Sequence, residues 1–546
     1  MKQLIPLCLL CAVLLSGCTA ATVPTELPTA PPTEAAPTLS LPPSETLPSG
    51  LTVKTDYSAY TPRRDAEAKY TRLTEVFSDT FRPSEDYGAV YPFIGKRLYS
   101  EYGTLDCLYG MVDENGRILV DPVYTSCTPL TGYYGEQTHR FDFWRLGKVD
   151  DVRIPDDVYG EYPTGARLYA LVSMDGAFAT DCIYHSIYAS GGYIIACREA
   201  DDTLHFDIFD ADGNLILNSD DLPLRDRFCT DFYVRGGEDN ILTVGLKTGE
   251  YWDYTQFDGS FVEKSDVYLM DFEGNLLTDA YTDGTPYSDG YAVMQTENET
   301  YQFVDHGGNV LGGKEYGYAT GFVNGYSVVT DVGSITSYVI DTQGNEYLKD
   351  AESSYLWWDG EYFEVDRGTH CYYNDRFEKI YETESDAGWY VLLRTDDGVF
   401  AARSDDMGFS ELMSPTGEIY RTDLRDSYVE AFQKGGLFLF AVIRYNENGG
   451  HYLLLDSSFR QLAEGSGTPN ALSDRITGEP YIAVQGEGTH VYDLNLNEVF
   501  YTSDAAYDAV QIMNGRIMAA DDFFCRQYDS DGSLVFCYPL LSAMGD

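Results

Sequence analysis

The stretch Tyr109-Gly110-Met111-Val112-Asp113-Glu114-Asn115-Gly116-Arg117-Ile118-Leu119-Val120 reads as strand, tight turn, strand. An aspartate opens the turn because its side chain accepts backbone N–H bonds. A glycine closes it because it adopts positive φ at no steric cost. The apolar runs on either side then pair as a hairpin.

Working outward, the same Asp-x-x-Gly signature recurs along the chain. Clear copies run Asp113 to Gly116, Asp210 to Gly213, Asp271 to Gly274, Asp305 to Gly308, Asp341 to Gly344 and Asp529 to Gly532. Degraded copies begin at Ser173, Asn374, Ser414, Asp456 and Asp493. A second turn lies about 15 residues before many of these, as Asp289-Gly290, Asn324-Gly325 and Asp359-Gly360, with weaker forms at Gly191-Gly192 and Asn514-Gly515. One unit therefore holds three or four antiparallel strands. From Asp271 onward the anchors lie 33 to 42 residues apart. Two earlier gaps are longer and carry polar inserts around Asp150–Tyr162 and Gly249–Ser260.

A period near 40 residues with about four strands per unit marks propeller blades, whose small sheets complete their core by stacking. Eleven anchors exceed the usual four to eight blades. One large ring, two smaller propellers and an open array of blades all fit. Composition agrees: 46 Tyr and 27 Phe suit strands, and 51 Gly suit turns. Helical periodicity is confined to Asp65 to Phe77, where Tyr70, Leu73, Val76 and Phe77 share a face, so one short helix is expected there. The fold class is all-β with a single N-terminal helix.

The first 17 residues read as a signal peptide. Lys2 supplies its positive charge and Leu4 to Leu15 its apolar core, about a dozen residues long. That is short of the roughly 20 a membrane span needs. Leu15-Ser16-Gly17-Cys18 resembles the lipobox of bacterial lipoproteins. The resemblance implies cleavage before Cys18, lipidation of its thiol and an anchor on the extracytoplasmic face of the cell membrane. Residues 18–50 form a linker with eight prolines, seven threonines and no Lys or Arg after the cysteine. Extended at about 3.1 Å per residue, it reaches roughly 100 Å. Residues 51–100 lead into a repeat region spanning 101–546.

Within that region, the opening stretch continued to Asp121-Pro122-Val123-Tyr124 resembles a bacterial WG repeat. Pro286-Tyr287-Ser288-Asp289-Gly290-Tyr291-Ala292-Val293 looks like the continuation of such a repeat. Tyr109 stands where the family has tryptophan. The resemblance implies β repeats on an exported protein, with Tyr109, Asp113, Gly116, Pro122 and Tyr124 in structural positions, and it carries no catalytic residues.

With 88 acidic against 36 basic residues, the formal charge is −52, spread along the chain. Such a surface repels nucleic acid and anionic polymers, and no basic patch interrupts it. The seven histidines are dispersed, with no His-Glu-x-x-His, Gly-x-Ser-x-Gly or phosphate-binding loop, so no catalytic set is expected. The eight cysteines beyond the linker include no Cys-x-x-Cys, so zinc is not indicated. Asp210-Ala-Asp212-Gly213 and Asp529-Ser-Asp531-Gly532 place paired carboxylates beside a turn, a weak calcium signature that a hairpin turn explains equally. No other cofactor is implied. Cys182 with Cys197, and Cys525 with Cys537, flank hairpins and are candidate disulfides.

Trp357-Trp358 beside Asp359 is the most suggestive aromatic cluster, either a sugar platform or core packing between blades. Trp144 and Trp252 lie in or near the long inserts, where specificity is expected to reside. The function expected is a lipid-anchored binding or scaffold module for a surface protein or polysaccharide. The alternative is a carbohydrate-binding or carbohydrate-active lipoprotein.

Overall fold

The computed structural model describes residues 80–542 apart from several short segments, of which 132–139 and 150–166 are the longest. The expected helix at Asp65–Phe77, the signal peptide, Cys18 and the linker lie outside the described residues. What is described is almost wholly β, with only three-residue 3-10 turns between strands.

Strands pair with their sequence neighbours in ten sheets, most of them four-stranded and antiparallel. The seven-stranded sheet holds two units, which makes eleven. The eleven anchors read from the sequence each follow the third strand of one unit, joining it to a fourth strand in most and, in units two, four and five, to a segment that pairs back only through isolated bridges. At ten anchors the opening residue's N–H reaches the carbonyl four residues on, and at Ser173 five residues on; at all eleven the N–H of the fourth turn residue returns to the opening carbonyl. Asp341 shows why aspartate opens these turns. Its Oδ1 accepts from the N–H of Gln343 and Asn345, both at 2.9 Å, and its Oδ2 from Asn345 Nδ2 at 2.8 Å.

The fourth turn position has positive φ throughout. Glycine fills it at Gly116, Gly213, Gly274, Gly308, Gly344 and Gly532, but Phe377, Phe459 and Leu496 occupy it in degraded copies. A turn of identical form, Asp405 to Gly408, joins the second and third strands of unit eight, so the signature is not confined to one place in the unit.

Buried apolar clusters stitch successive units face to face. One cluster joins Phe143 and Leu171 of unit two to Ile187 and Ile194 of unit three. Others join Leu242 and Met270 to Ile195 and Phe206, and Phe440 and Leu455 to Phe400 and Leu412. The first strands of neighbouring units approach one another, as Ser427–Lys434 does with both Tyr390–Thr395 and Thr468–Ser473. First strands therefore line the inside of the ring.

The ring closes. Strand Leu541–Ser542 pairs in parallel with Val90–Tyr99 and so supplies the inner strand of unit one. Phe93 packs against Phe536 and Tyr538, with ring centroids 4.9 Å apart in each pair, and Gln527 Nε2 donates to the Pro92 carbonyl at 2.7 Å. Of the three architectures the repeat count allowed, the chain adopts the single large propeller-like ring.

The candidate disulfides are not formed; the described cysteines are thiols. Cys525 lies opposite Tyr538 and faces unit one, while Cys537 lies opposite Arg526 and faces unit ten. Adjacent strands thus carry them on opposite faces of one sheet. Cys197 sits in the core against Tyr188, whereas Cys182 points to the Leu168 carbonyl at 3.2 Å.

Candidate functional site

The turns joining first to second strands lie at one end of the ring, and several are fastened to the next unit. Asp289 Oδ2 accepts from the Gly325 N–H at 2.9 Å, and Asn324 Nδ2 donates to the Gly360 carbonyl at 2.8 Å. Asp474 accepts from the N–H groups of Asn514 and Gly515. Asp289-Gly290, Asn324-Gly325 and Asn514-Gly515 carry positive φ in two-residue turns whose twist matches that of the strands. Asp289-Gly290, Asn324-Gly325 and Asn514-Gly515 therefore have a second role, holding unit to unit.

One joint differs from the rest. None of the buried apolar clusters among the described residues bridges units seven and eight. The reason is the strand pattern of unit seven. Alternation along Tyr355–Trp358 and Tyr362–Asp366 sends Leu356, Trp358, Phe363 and Val365 toward unit six, where Val328 and Val339 meet them. The opposite face carries Tyr355, Trp357, Tyr362, Glu364 and Tyr372, since Trp357 pairs with Glu364 and Glu364 with Tyr372. Unit eight meets this face with Arg394, whose guanidinium lies 5.5 Å from the centre of Tyr362 and 5.6 Å from that of Tyr372, and which is ion-paired with Asp359. The joint is aromatic and polar where the others are sealed by buried apolar clusters.

The joint opens toward the inside of the ring. Trp357 is 47% exposed and Tyr355 48%, on a first strand. Burial, then the Glu364 carboxylate and Tyr318, push the Tyr355 hydroxyl above its usual range. Burial and then Glu364 do the same to Tyr372, against the opposing charge of Arg394. Along the same wall, Tyr318 and Tyr390 are about half exposed on the first strands of units six and eight. In unit nine Tyr428 stacks on Tyr445, with hydroxyls 2.9 Å apart. Glu430, on that first strand, is pushed up by burial, which outweighs the bond it accepts from Ala471.

The two adjacent tryptophans thus divide. Trp358 is core: it stacks on Phe363 at 4.0 Å and donates to the Val323 carbonyl at 2.7 Å. Trp357 is presented to solvent. The inserts fare otherwise. Trp144 is fully buried and donates to the Val90 carbonyl at 3.0 Å, so it is a core residue of unit two. Residues 249–253 and 260 of the other insert lie in the two arms of one long hairpin, Ile241–Asp253 with Ser260–Asp271, while 254–259 and 150–166 lie outside the described residues. The sequence reading missed Tyr318, Tyr355, Tyr390, Glu364 and Arg394. Period-two alternation through Tyr355-Leu356-Trp357-Trp358 is the signal that could have found the first of them.

The oxygens of Asp210 accept from Asp212 N, Asn214 N and Asn214 Nδ2, which makes it a turn residue in every polar contact it has here.

No protein-family model and no curated protein matches the sequence. Among solved structures, the chain is similar to one described as the eukaryotic initiation factor, at 10% identity over 75% of this chain and 95% of that one, with TM-score 0.35. BamB from Moraxella catarrhalis aligns at 10% identity over 64% and 94%, with TM-score 0.24. Virginiamycin B lyase from Staphylococcus aureus aligns at 13% identity over 40% and 83%, with TM-score 0.21.

Proposed function

We propose that the chain is a lipid-anchored, extracytoplasmic interaction module of the WG-repeat kind, with a propeller-like ring as its binding body. The observation that carries the interaction reading is the arc of exposed aromatic side chains on the inner strands of units six to eight: Tyr318, Tyr355, Trp357 and Tyr390. Rings left half in solvent gain little for folding. Grouped on one wall of a rigid scaffold, they supply contact area at low entropic cost, as binding surfaces do.

The anchor rests on the sequence. Acyl chains on Cys18 would hold the ring at the membrane, two or more being needed for stable attachment. The proline-rich linker would then carry it clear of the surface, and a charge of −52 would keep it from settling onto anionic lipid.

The test is metabolic labelling of the intact protein with an alkyne fatty acid in a bacterial host. Label on the wild type, none on Cys18→Ala, and loss of that variant from the membrane fraction are the results expected. Equal labelling of both, or none of either, would remove the anchor from the proposal.

A further inference from the structure

Resting on that reading of the inner wall, we infer that the joint between units seven and eight is a cleft for a neutral polysaccharide strand, with Trp357 and Tyr355 as its stacking platform.

Three features of the joint select this ligand. The first is shape. Trp357 and Tyr355 lie two residues apart on one strand and on one face, so both flat rings are offered from the same side, half exposed. Such a platform fits the apolar C–H face of a pyranose ring.

The second is the polar complement. Glu364 sits directly across from Trp357 in the register, and Arg394 lies over Tyr362 and Tyr372 beside it. A carboxylate that only accepts, a guanidinium that only donates and tyrosine hydroxyls that do both match the mixed demands of sugar hydroxyls.

The third is charge. Glu364 and Asp359 stand against Arg394, so both signs are present and a simple ion is not favoured. A cationic peptide would meet Arg394, and a polyanion would meet the field of a chain carrying −52. An uncharged, hydroxyl-rich chain meets neither obstacle.

The packing agrees. At the other joints buried apolar clusters span both sheets, whereas here Val399 and Ala401 of unit eight are buried but no such cluster spans the joint, and its inner margin carries Tyr355, Trp357, Glu364 and Arg394. Tyr355 and Trp357 together offer two rings, so a ligand of several sugar units is favoured over a monosaccharide.

The experiment is titration of the intact, detergent-solubilised protein with neutral hexasaccharides of glucose, mannose, galactose and N-acetylglucosamine, followed by calorimetry and tryptophan fluorescence. A lysine decapeptide and a glutamate decapeptide serve as charged comparators. At least one hexasaccharide is expected to bind, with a change in tryptophan emission. Trp357→Ala and Tyr355→Ala are each expected to weaken that binding tenfold or more without altering the melting temperature by more than a few degrees, and Tyr233→Ala, at an exposed ring far from this joint, to leave it unchanged. Trp357→Phe, which keeps an aromatic face, should retain most of it. Silence from every hexasaccharide, binding of the lysine peptide alone, or binding indifferent to Trp357→Ala overturns the inference. The labelling of Cys18 is independent of these outcomes, so a failed cleft and a failed anchor are told apart.

Discussion

The Arg516 guanidinium lies 4.2 Å from the centre of the Tyr91 ring and so ties the last unit of the ring to the first. Its Nη2 also donates to the Glu114 carbonyl at 2.6 Å, and the residue is buried. Removing it strips a cation–π contact and leaves a carbonyl without its donor. Arg516→Ala is expected to cost about 2–4 kcal/mol in denaturant unfolding, with Arg516→Lys between the two. A loss under about 0.5 kcal/mol would show that closure does not depend on this contact.

Two glycines with nearly equal φ should respond unequally to alanine. Gly344 has φ 80° and open space, with the nearest atoms of Leu311 4.0 Å from an added Cβ. Gly344→Ala therefore carries the conformational cost alone, about 1–2 kcal/mol. Gly116 has φ 79°, but its Cβ would stand 2.6 Å from the Val535 carbonyl oxygen in the last unit. Gly116→Ala must also push apart the closing joint, and a cost of about 3 kcal/mol or more is expected. Thermal unfolding of the pair decides; equal losses would contradict the clash.

Acid should unfold the ring through its turns. Burial pushes the carboxyls of Asp210, Asp305, Asp341 and Asp493 up, but bonds from Asn214, Asn309, Asn345 and Asn497 and from turn N–H groups more than offset it, so all four lie below the usual range. A depressed native pKa gives stability that is complete above the unfolded value of about 3.9 and is lost as pH falls through the native one. Stability should therefore hold from neutrality to about pH 5 and decline below about pH 4. Asp341→Asn should flatten that decline, as read by circular dichroism.

The joint between units seven and eight should open first. Its Asp359–Arg394 pair is partly exposed, and such pairs contribute about 0–1 kcal/mol. Hydrogen exchange is expected to be faster in Tyr390–Thr395, where Leu392 and Leu393 only border one apolar cluster, than in Ser427–Lys434, where Val429 and Phe432 belong to clusters on both faces, and Asp359→Ala should widen the gap. Equal protection of the two strands would contradict a weaker joint.

Thiol chemistry checks the cysteine assignment. Cys127, Cys197 and Cys525 are buried, and burial pushes the Cys197 thiol up to about 11. They should resist a thiol reagent at pH 8 in the native protein and react on unfolding. Unreduced protein should run at the mobility of the reduced form.

The rhythm of the fold was legible because its turns are chemical. Asp at the first position and Gly at the fourth are needed wherever the hairpin must close, and each of the eleven anchors read from sequence is such a closure. Phe377 shows where that logic stops. It sits at φ 60°, a strain of roughly 1 kcal/mol, yet stacks on Tyr347 at 4.4 Å and Phe363 at 5.0 Å. Each such stack adds about 0.5–1.5 kcal/mol beyond the area it buries, so packing wins over the turn rule. Closure was not legible, since Gln527 and Pro92 are 435 residues apart and no local pattern joins them. The exposed face of unit seven was half legible: the double tryptophan drew notice, but only the pairing of Trp357 with Glu364 shows which ring is offered.

The parallel strand Leu541–Ser542 also fixes an order of events. A chain synthesised from its N-terminus leaves unit one without its inner strand until the last repeat has emerged. The Pro92 carbonyl, the Tyr91 ring and the exposed flank of Val90–Tyr99 must wait through more than 400 intervening residues for their partners. During that interval the edge is a template on which a second copy could dock in place of the proper strand. Completion of the ring is therefore the moment at which this protein stops being able to join its neighbours.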